Sequence, residues 1–285
     1  MAKLSQLILT DCKYPYFNII LTVLLIFTGN ISLNGINSLT DIIFIENLPI
    51  RPDSTYVIVL DPGHGGKDKG TSYKNIYEKD ITLSIVKKIK KKIKQKKSNI
   101  DILLTRDEDV FVPIYERIRI ANRSRSDLFV SIHINSYQKD KHVNGNEVYI
   151  MGLTDSEENL QVAMRENASV LLEGEYQNNY DWYDPSSTEA YIFLSAYQNL
   201  FLNQSVALAR KVTETLNGGL LFKNRGVKQA GFVILKYATM PSILVEIGYI
   251  TNSKDREKMV SPEKQEEIAE NISNAILDYI STTDL

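Results

Sequence analysis

The sequence predicts an α/β fold, a single twisted and largely parallel sheet of about six strands flanked by helices, with a helical insertion. Three observations lead there. Short apolar, β-branched runs alternate with helical patterns from residue 57 onward, the signature of parallel strands covered by helices. Three of those runs finish in a metal-type or acid/base side chain, His64, His133 and Glu246, as expected where working residues gather beyond the carboxyl ends of strands. About fifty residues separate the fourth run from the next helix, too many for a structureless loop in a compact domain.

Val57 to Leu60 reads as a buried strand running into Asp61-Pro62-Gly63-His64-Gly65-Gly66. The glycines at 63, 65 and 66 are expected to permit positive φ and close approach of another group. From Asp80 to Lys97 the pattern is helical, with Ile81, Ile85, Ile89 and Ile93 on one face and a lysine-rich, solvated remainder. Ile100 to Thr105 is the second strand, Ile114 to Asn122 a helix opened by Pro113, and Leu128 to His133 the third strand. Glu147 to Met151 is the fourth strand, and Ser205 to Leu216 an amphipathic helix. Phe232 to Leu235 and Ile243 to Glu246 complete the six, before a closing helix from Pro262 to Ile280. Glu78, two residues before Asp80, lies where the first loop meets its helix and so returns to the same sheet edge.

Composition narrows the classes. The 43% apolar content supplies a normal core, and a net charge of −2 gives no argument for nucleic acid. Cys12, the single cysteine, excludes an intramolecular disulfide framework and a multi-cysteine metal site. Lys3 and Lys13 precede the apolar run Phe17 to Phe27, which suits the core of a secretory signal better than a bilayer span. Residues 1–29 are therefore expected to be a signal peptide or N-terminal anchor, the chain's membrane link, and 30–52 a linker to a domain over 53–285.

Two histidines and a carboxylate with an open fourth position describe a catalytic zinc site. His64, Glu78 and His133 would be its ligands, and Glu246 the carboxylate that takes a proton from water and passes it to a leaving amine. Asn135, two residues past His133, faces the same side and would orient substrate or a ligand. Phosphate-cradle motifs fail on spacing, since Asp68 stands where GxGxxG needs its last glycine. His142, among Lys139, Asp140, Lys141 and Asn144, reads as a solvated loop histidine.

Val57 to Gly66, Glu78-Lys79-Asp80, Leu104 to Asp107, Ser131 to Asn135 and Leu244 to Asn252 together resemble the motifs of zinc-dependent N-acetylmuramoyl-L-alanine amidases. These are cell-wall enzymes with a phosphorylase/hydrolase-like α/β fold. The resemblance spans residue 57 to the C-terminal helix. It implies cleavage of the amide between muramic acid and the first L-alanine of the stem peptide. It also implies Zn2+ on His64, Glu78 and His133, Glu246 as catalytic glutamate, and a substrate contact from Arg225 in Arg225-Gly226-Val227-Lys228. A zinc peptidase acting on stem peptides and a non-catalytic wall-binding protein of the same fold are the alternatives.

The insertion, about 152–192, is acidic, with a helix expected behind an N-cap at Ser156. It is either a solvated elaboration or, as in the division-type amidases it resembles, a segment that blocks the zinc until a protein activator displaces it. Glu173 and Glu175 are the carboxylates expected to take the open zinc position. Such an enzyme would work exported, in the periplasm or cell envelope.

Overall fold

The computed structural model describes residues 56–154, 156–174, 188–218 and 221–283. The expected leader and linker lie outside them, as do Glu175 and the stretch from Tyr176 to Tyr183. The elements in order are β1 (Tyr56–Pro62), β2 (Ser72–Tyr73), β3 (Ile76–Tyr77), α1 (Glu78–Lys96), β4 (Ile100–Leu104), α2 (Ile114–Arg123), β5 (Leu128–Asn135) and β6 (Asn146–Met151). Then come α3 (Glu157–Asn167) with a 3-10 turn (Ala168–Leu172), α4 (Thr188–Asn217), β7 (Asn224–Ala230), α5 (Val233–Lys236), β8 (Ser242–Tyr249), α6 (Ser253–Val260) and α7 (Pro262–Thr282).

Six strands form one sheet in the order β4-β1-β5-β8-β6-β7, and β2 with β3 makes a small hairpin. Within the six-stranded sheet, pairing is parallel except between β6 and β8. The six-stranded, largely parallel sheet is thus as expected, with one strand misplaced. Phe232 to Leu235 is not a strand: α5 starts at Val233, and the sixth strand is β7, whose residues Asn224 to Ala230 are mostly half-buried. Apolar content misleads here because β7 is an edge strand with polar side chains, while Phe232, Ile234 and Leu235 fill the core from a helical turn.

Helices cover both faces. On one, α1 buries Ile81, Ile85, Ile89 and Ile93 beside α7's Ile268, Ile272 and Ile276 and α4's Leu208, Val212 and Leu216. Each such isoleucine, removed fully from water, contributes roughly 1.5–3 kcal/mol. The lysines behind the stripe stay at the surface, and Lys92 and Lys96 pair with Glu266 and Glu270 of α7. On the other face, Ile114, Ile118 and Ala121 of α2 and Val162 and Ala163 of α3 join one core with Phe129, Tyr149 and Phe232. Ser156 caps α3 by accepting from the Asn159 amide. Among the described residues no helix is long and apolar enough to cross a membrane.

Candidate metal centre

Parallel pairing of β1, β5 and β8 brings their carboxyl ends together. His133 of β5 sits in register with Glu246 of β8, so the two side chains are neighbours about 4.8 Å apart in strand spacing. The loop after β1 carries His64 in the left-handed region, φ 61°. That is a costly conformation for a residue with a Cβ, and its surroundings must enforce it. Arg117 does so from below. It donates to the carbonyls of Pro62 and His64 and to Oδ1 of the fully buried Asp61. Asp61 also accepts from Thr105 and Ser131. Burial alone would raise the Asp61 carboxyl, but Arg117 and the two hydroxyls outweigh it and hold it below its ordinary range.

Two glycines are required by space. A Cβ on Gly63 would lie 2.5 Å from His133 Cε1, and one on Gly70 2.5 Å from His64 Cδ2 and 2.6 Å from Glu78 Oε2. Gly70 also has φ +63°. The sequence assigned Gly63 a positive φ; its requirement is close approach alone, since the positive-φ glycines of this loop are Gly65 and Gly66.

His64, Glu78 and His133 converge as expected, and a fourth side chain joins them, Glu166 from α3. One ligand atom from each lies within 4.8 Å of all the others, and all four residues are buried. His64 Nε2 is 3.2 Å from Glu78 Oε1 and 3.1 Å from Glu166 Oε2, and His133 Nδ1 is 3.2 Å and 2.9 Å from the same atoms. Despite these distances, His64 Nε2, His133 Nδ1 and Glu166 Oε2 have no hydrogen bond. Their lone pairs aim at a shared point rather than at one another, the geometry of a metal-ligand set.

Charge supports that assignment. Burial opposes protonation of His133, but the charge of Glu166 and the close approach of the Glu166 and Glu78 carboxylates lift it to about 10. His64 is raised as well, against burial, by the charge of Glu78 and by Asp68 and Glu166. Carboxylates gathered around two imidazoles make an electronegative pocket, the setting a divalent cation would neutralise. The surrounding bonds fix the set. Glu78 Oε2 accepts from the Thr71 amide and its Oε1 from the Ile134 amide, while Asp68 Oδ2 lies 2.8 Å from His64 Nδ1. Burial would raise Asp68, yet the bond to His64 and its charge bring it to about 2. Orienting a ligand histidine through its other nitrogen is how such partners tune metal sites.

The remaining expected residues are placed as follows. Glu246 is fully buried beside the cluster; burial and the charge of Glu166 push its carboxyl well above the usual range. Asn135 is buried, donating to Glu147 and accepting from Arg165. Arg225 stands at the rim, paired with Glu147 and Glu158. His142 is exposed, as expected. Glu173 is not at the metal position: its carboxylate accepts from the Ile114 amide, an otherwise orphaned donor at the start of α2. Glu166 stands there instead, and Arg165 beside it reaches Glu246 at 3.4 Å and the Ser136 carbonyl at 3.2 Å. The signal for Glu166 was in the helix pattern, because it follows Val162 and Ala163 on the buried face of α3.

Comparison with known proteins decides the family. Residues 58–278 match the family model described as N-acetylmuramoyl-L-alanine amidase. The chain belongs to the N-acetylmuramoyl-L-alanine amidase family. It is 34% identical over 235 residues to N-acetylmuramoyl-L-alanine amidase AmiC of Escherichia coli O6:H1, an alignment covering 80% of the chain and 54% of that relative. The match thus spans about half of the relative's length. N-acetylmuramoyl-L-alanine amidase AmiC2 of Nostoc punctiforme is similar in structure, with TM-score 0.59, 32% identity and coverage of 79% of this chain and 97% of that one. The N-acetylmuramoyl-L-alanine amidase from Clostridium difficile 630 superposes with TM-score 0.61 at 27% identity, covering 81% and 99%. Members of this family are metal-dependent hydrolases of peptidoglycan, and the buried His/Glu/His/Glu group fits that chemistry.

Proposed function

We propose that this amidase uses zinc, held by His64, Glu78 and His133, to hydrolyse the amide joining N-acetylmuramic acid to L-alanine in peptidoglycan. The observation that carries the proposal is the buried convergence of unpaired ligand atoms at the ends of β1 and β5. Two imidazoles and one carboxylate are a donor set that zinc favours in catalytic sites. When bound there, the ion polarises the scissile carbonyl and acidifies water.

The chain's own residues supply the rest. Glu246, one strand from His133, accepts the proton of the attacking water and returns it to the leaving amine. Its burial favours the neutral form, which suits the donating half of that cycle. Asn135 and Arg225 line the same edge and hold the substrate in place.

With α3 docked, Glu166 occupies the ligand position that substrate and water need, and Arg165 lies against Glu246. This closed arrangement supports a self-inhibited enzyme that a partner protein opens by displacing the insertion, for wall remodelling or daughter-cell separation. An export signal within residues 1–29 would deliver the enzyme to the cell envelope.

Mass spectrometry of digested peptidoglycan tests the reaction. Free stem peptides beginning with L-alanine are expected. Shortened peptides still attached to glycan would mean a peptidase, and no product would mean a binding protein. Glu246→Ala should abolish turnover with about one zinc per chain retained, whereas His133→Ala should lose the metal too.

A further inference from the structure

The insertion helix carries a second carboxylate that the metal centre does not use. Glu158 precedes Glu166 by eight residues, about 12 Å along a helix axis, and lies on the same side of α3 as the domain. It accepts a 2.7 Å bond from Arg225 Nη2 and lies 3.9 Å from Lys228 Nζ. Beneath these cations the fully buried Glu147 takes the Nε of Arg225 and Nζ of Lys228 on Oε1, together with the Tyr249 hydroxyl. Its Oε2 accepts from Tyr149 and Asn135.

Five donors saturate Glu147, so its single charge offsets only one of the two cations. The second is balanced by Glu158, whose side chain is 42% exposed and is carried on the insertion. Once α3 leaves, Arg225 Nη2 and Lys228 Nζ lose the Glu158 carboxylate while Glu147 stays saturated. That is a site for an anion, and Arg225 presents the planar fork that recognises carboxylates. The spacing is also informative: 12 Å matches roughly three to four residues of extended peptide.

We propose that Arg225 and Lys228 bind a free carboxylate of the stem peptide about three residues from the scissile amide. Glu158 holds that subsite when the insertion is docked, just as Glu166 holds the metal position. The helix therefore occupies two substrate positions at once. This rests on the amidase reading but not on which metal is bound.

Two synthetic muramoyl peptides test it, differing only in a free carboxylate or a carboxamide on the third stem residue. Both are assayed with the full chain, in wild type and in Glu166→Gln. The acid is expected to show a KM roughly tenfold lower than the amide. Lys228→Gln should bring that ratio near one, with kcat within about twofold. Glu158→Gln should lower KM for the acid alone. Equal KM for acid and amide in Glu166→Gln, or a Glu158→Gln change that leaves the acid-to-amide KM ratio unaltered, overturns the subsite. Should Lys228→Gln fail to fold, the acid-to-amide ratio in Glu158→Gln still decides. Cleavage of neither substrate by Glu166→Gln overturns the amidase reading and this inference with it.

Discussion

Glu166→Gln preserves the shape of the side chain and removes the charge that ties α3 to the metal centre. In the closed arrangement that carboxylate faces both His64 and His133 at 2.9–3.1 Å and also accepts from Arg165 at 3.0 Å. A hydrogen bond to a charged group contributes about 1.5–3 kcal/mol, and each 1.4 kcal/mol is a factor of ten in an equilibrium. Loss of one such interaction should shift the balance toward the open form by roughly ten- to a hundredfold. Release of dye-labelled peptidoglycan without any activator should rise by a similar factor. Arg165 and Glu158 continue to hold α3, so the gain should fall short of that from deleting residues 156–190. Bound metal should stay near one per chain, because His64, Glu78 and His133 are unchanged. An unaltered or reduced basal rate, with metal content intact, would refute the assignment of Glu166 as the blocking group.

Three further outcomes are expected. Gly70→Ala places a methyl between His64 and Glu78, 2.5 Å and 2.6 Å from their atoms, and should sharply weaken metal uptake in a dye-competition assay; wild-type affinity would show that the loop yields without cost. Asp68→Asn removes the carboxylate that orients His64 and should weaken metal binding by about 10–100-fold, with unchanged affinity counting against that role. Asp61→Asn leaves the buried Arg117 uncompensated and should cost about 3–5 kcal/mol at neutral pH by chemical denaturation. Because the Asp61 carboxyl is depressed in the folded protein, its contribution is complete above about pH 4 and fades as pH falls through the lower folded value. The gap between wild type and variant should therefore narrow in acid, and a pH-independent gap would contradict the pairing.

Much of this was legible in the chain because it depends on local pattern. Ile81, Ile85, Ile89 and Ile93 mark a helix face by spacing alone, and all four are buried. A histidine or glutamate at the end of an apolar run reaches the carboxyl edge of a parallel sheet whichever strands are neighbours. That is why His64, His133 and Glu246 could be grouped before their distances were known. The edge strand β7 was not legible, since its half-exposed polar residues carry no apolar alternation. Glu147 was missed for a topological reason. It begins its strand, and in an all-parallel sheet that puts it at the opposite edge. Because β6 runs antiparallel to β8, Glu147 instead pairs with Glu246 and anchors Arg225 and Lys228.

The chain alone marked out His64, Glu78, His133 and Glu246 as residues that meet at one sheet edge, and an acidic helical insertion capped at Ser156. Each is set by residue type and short-range spacing. Which insertion carboxylate meets His64 and His133 was not legible there, because it follows from docking. Its acidic residues are alike in composition, and the choice depends on how α3 is rotated and docked. Burying Val162 and Ala163 in the core on this face of the sheet turns Glu166 inward and Glu158 toward Arg225 of β7, whereas the chain beyond the 3-10 turn carries Glu173 to the start of α2.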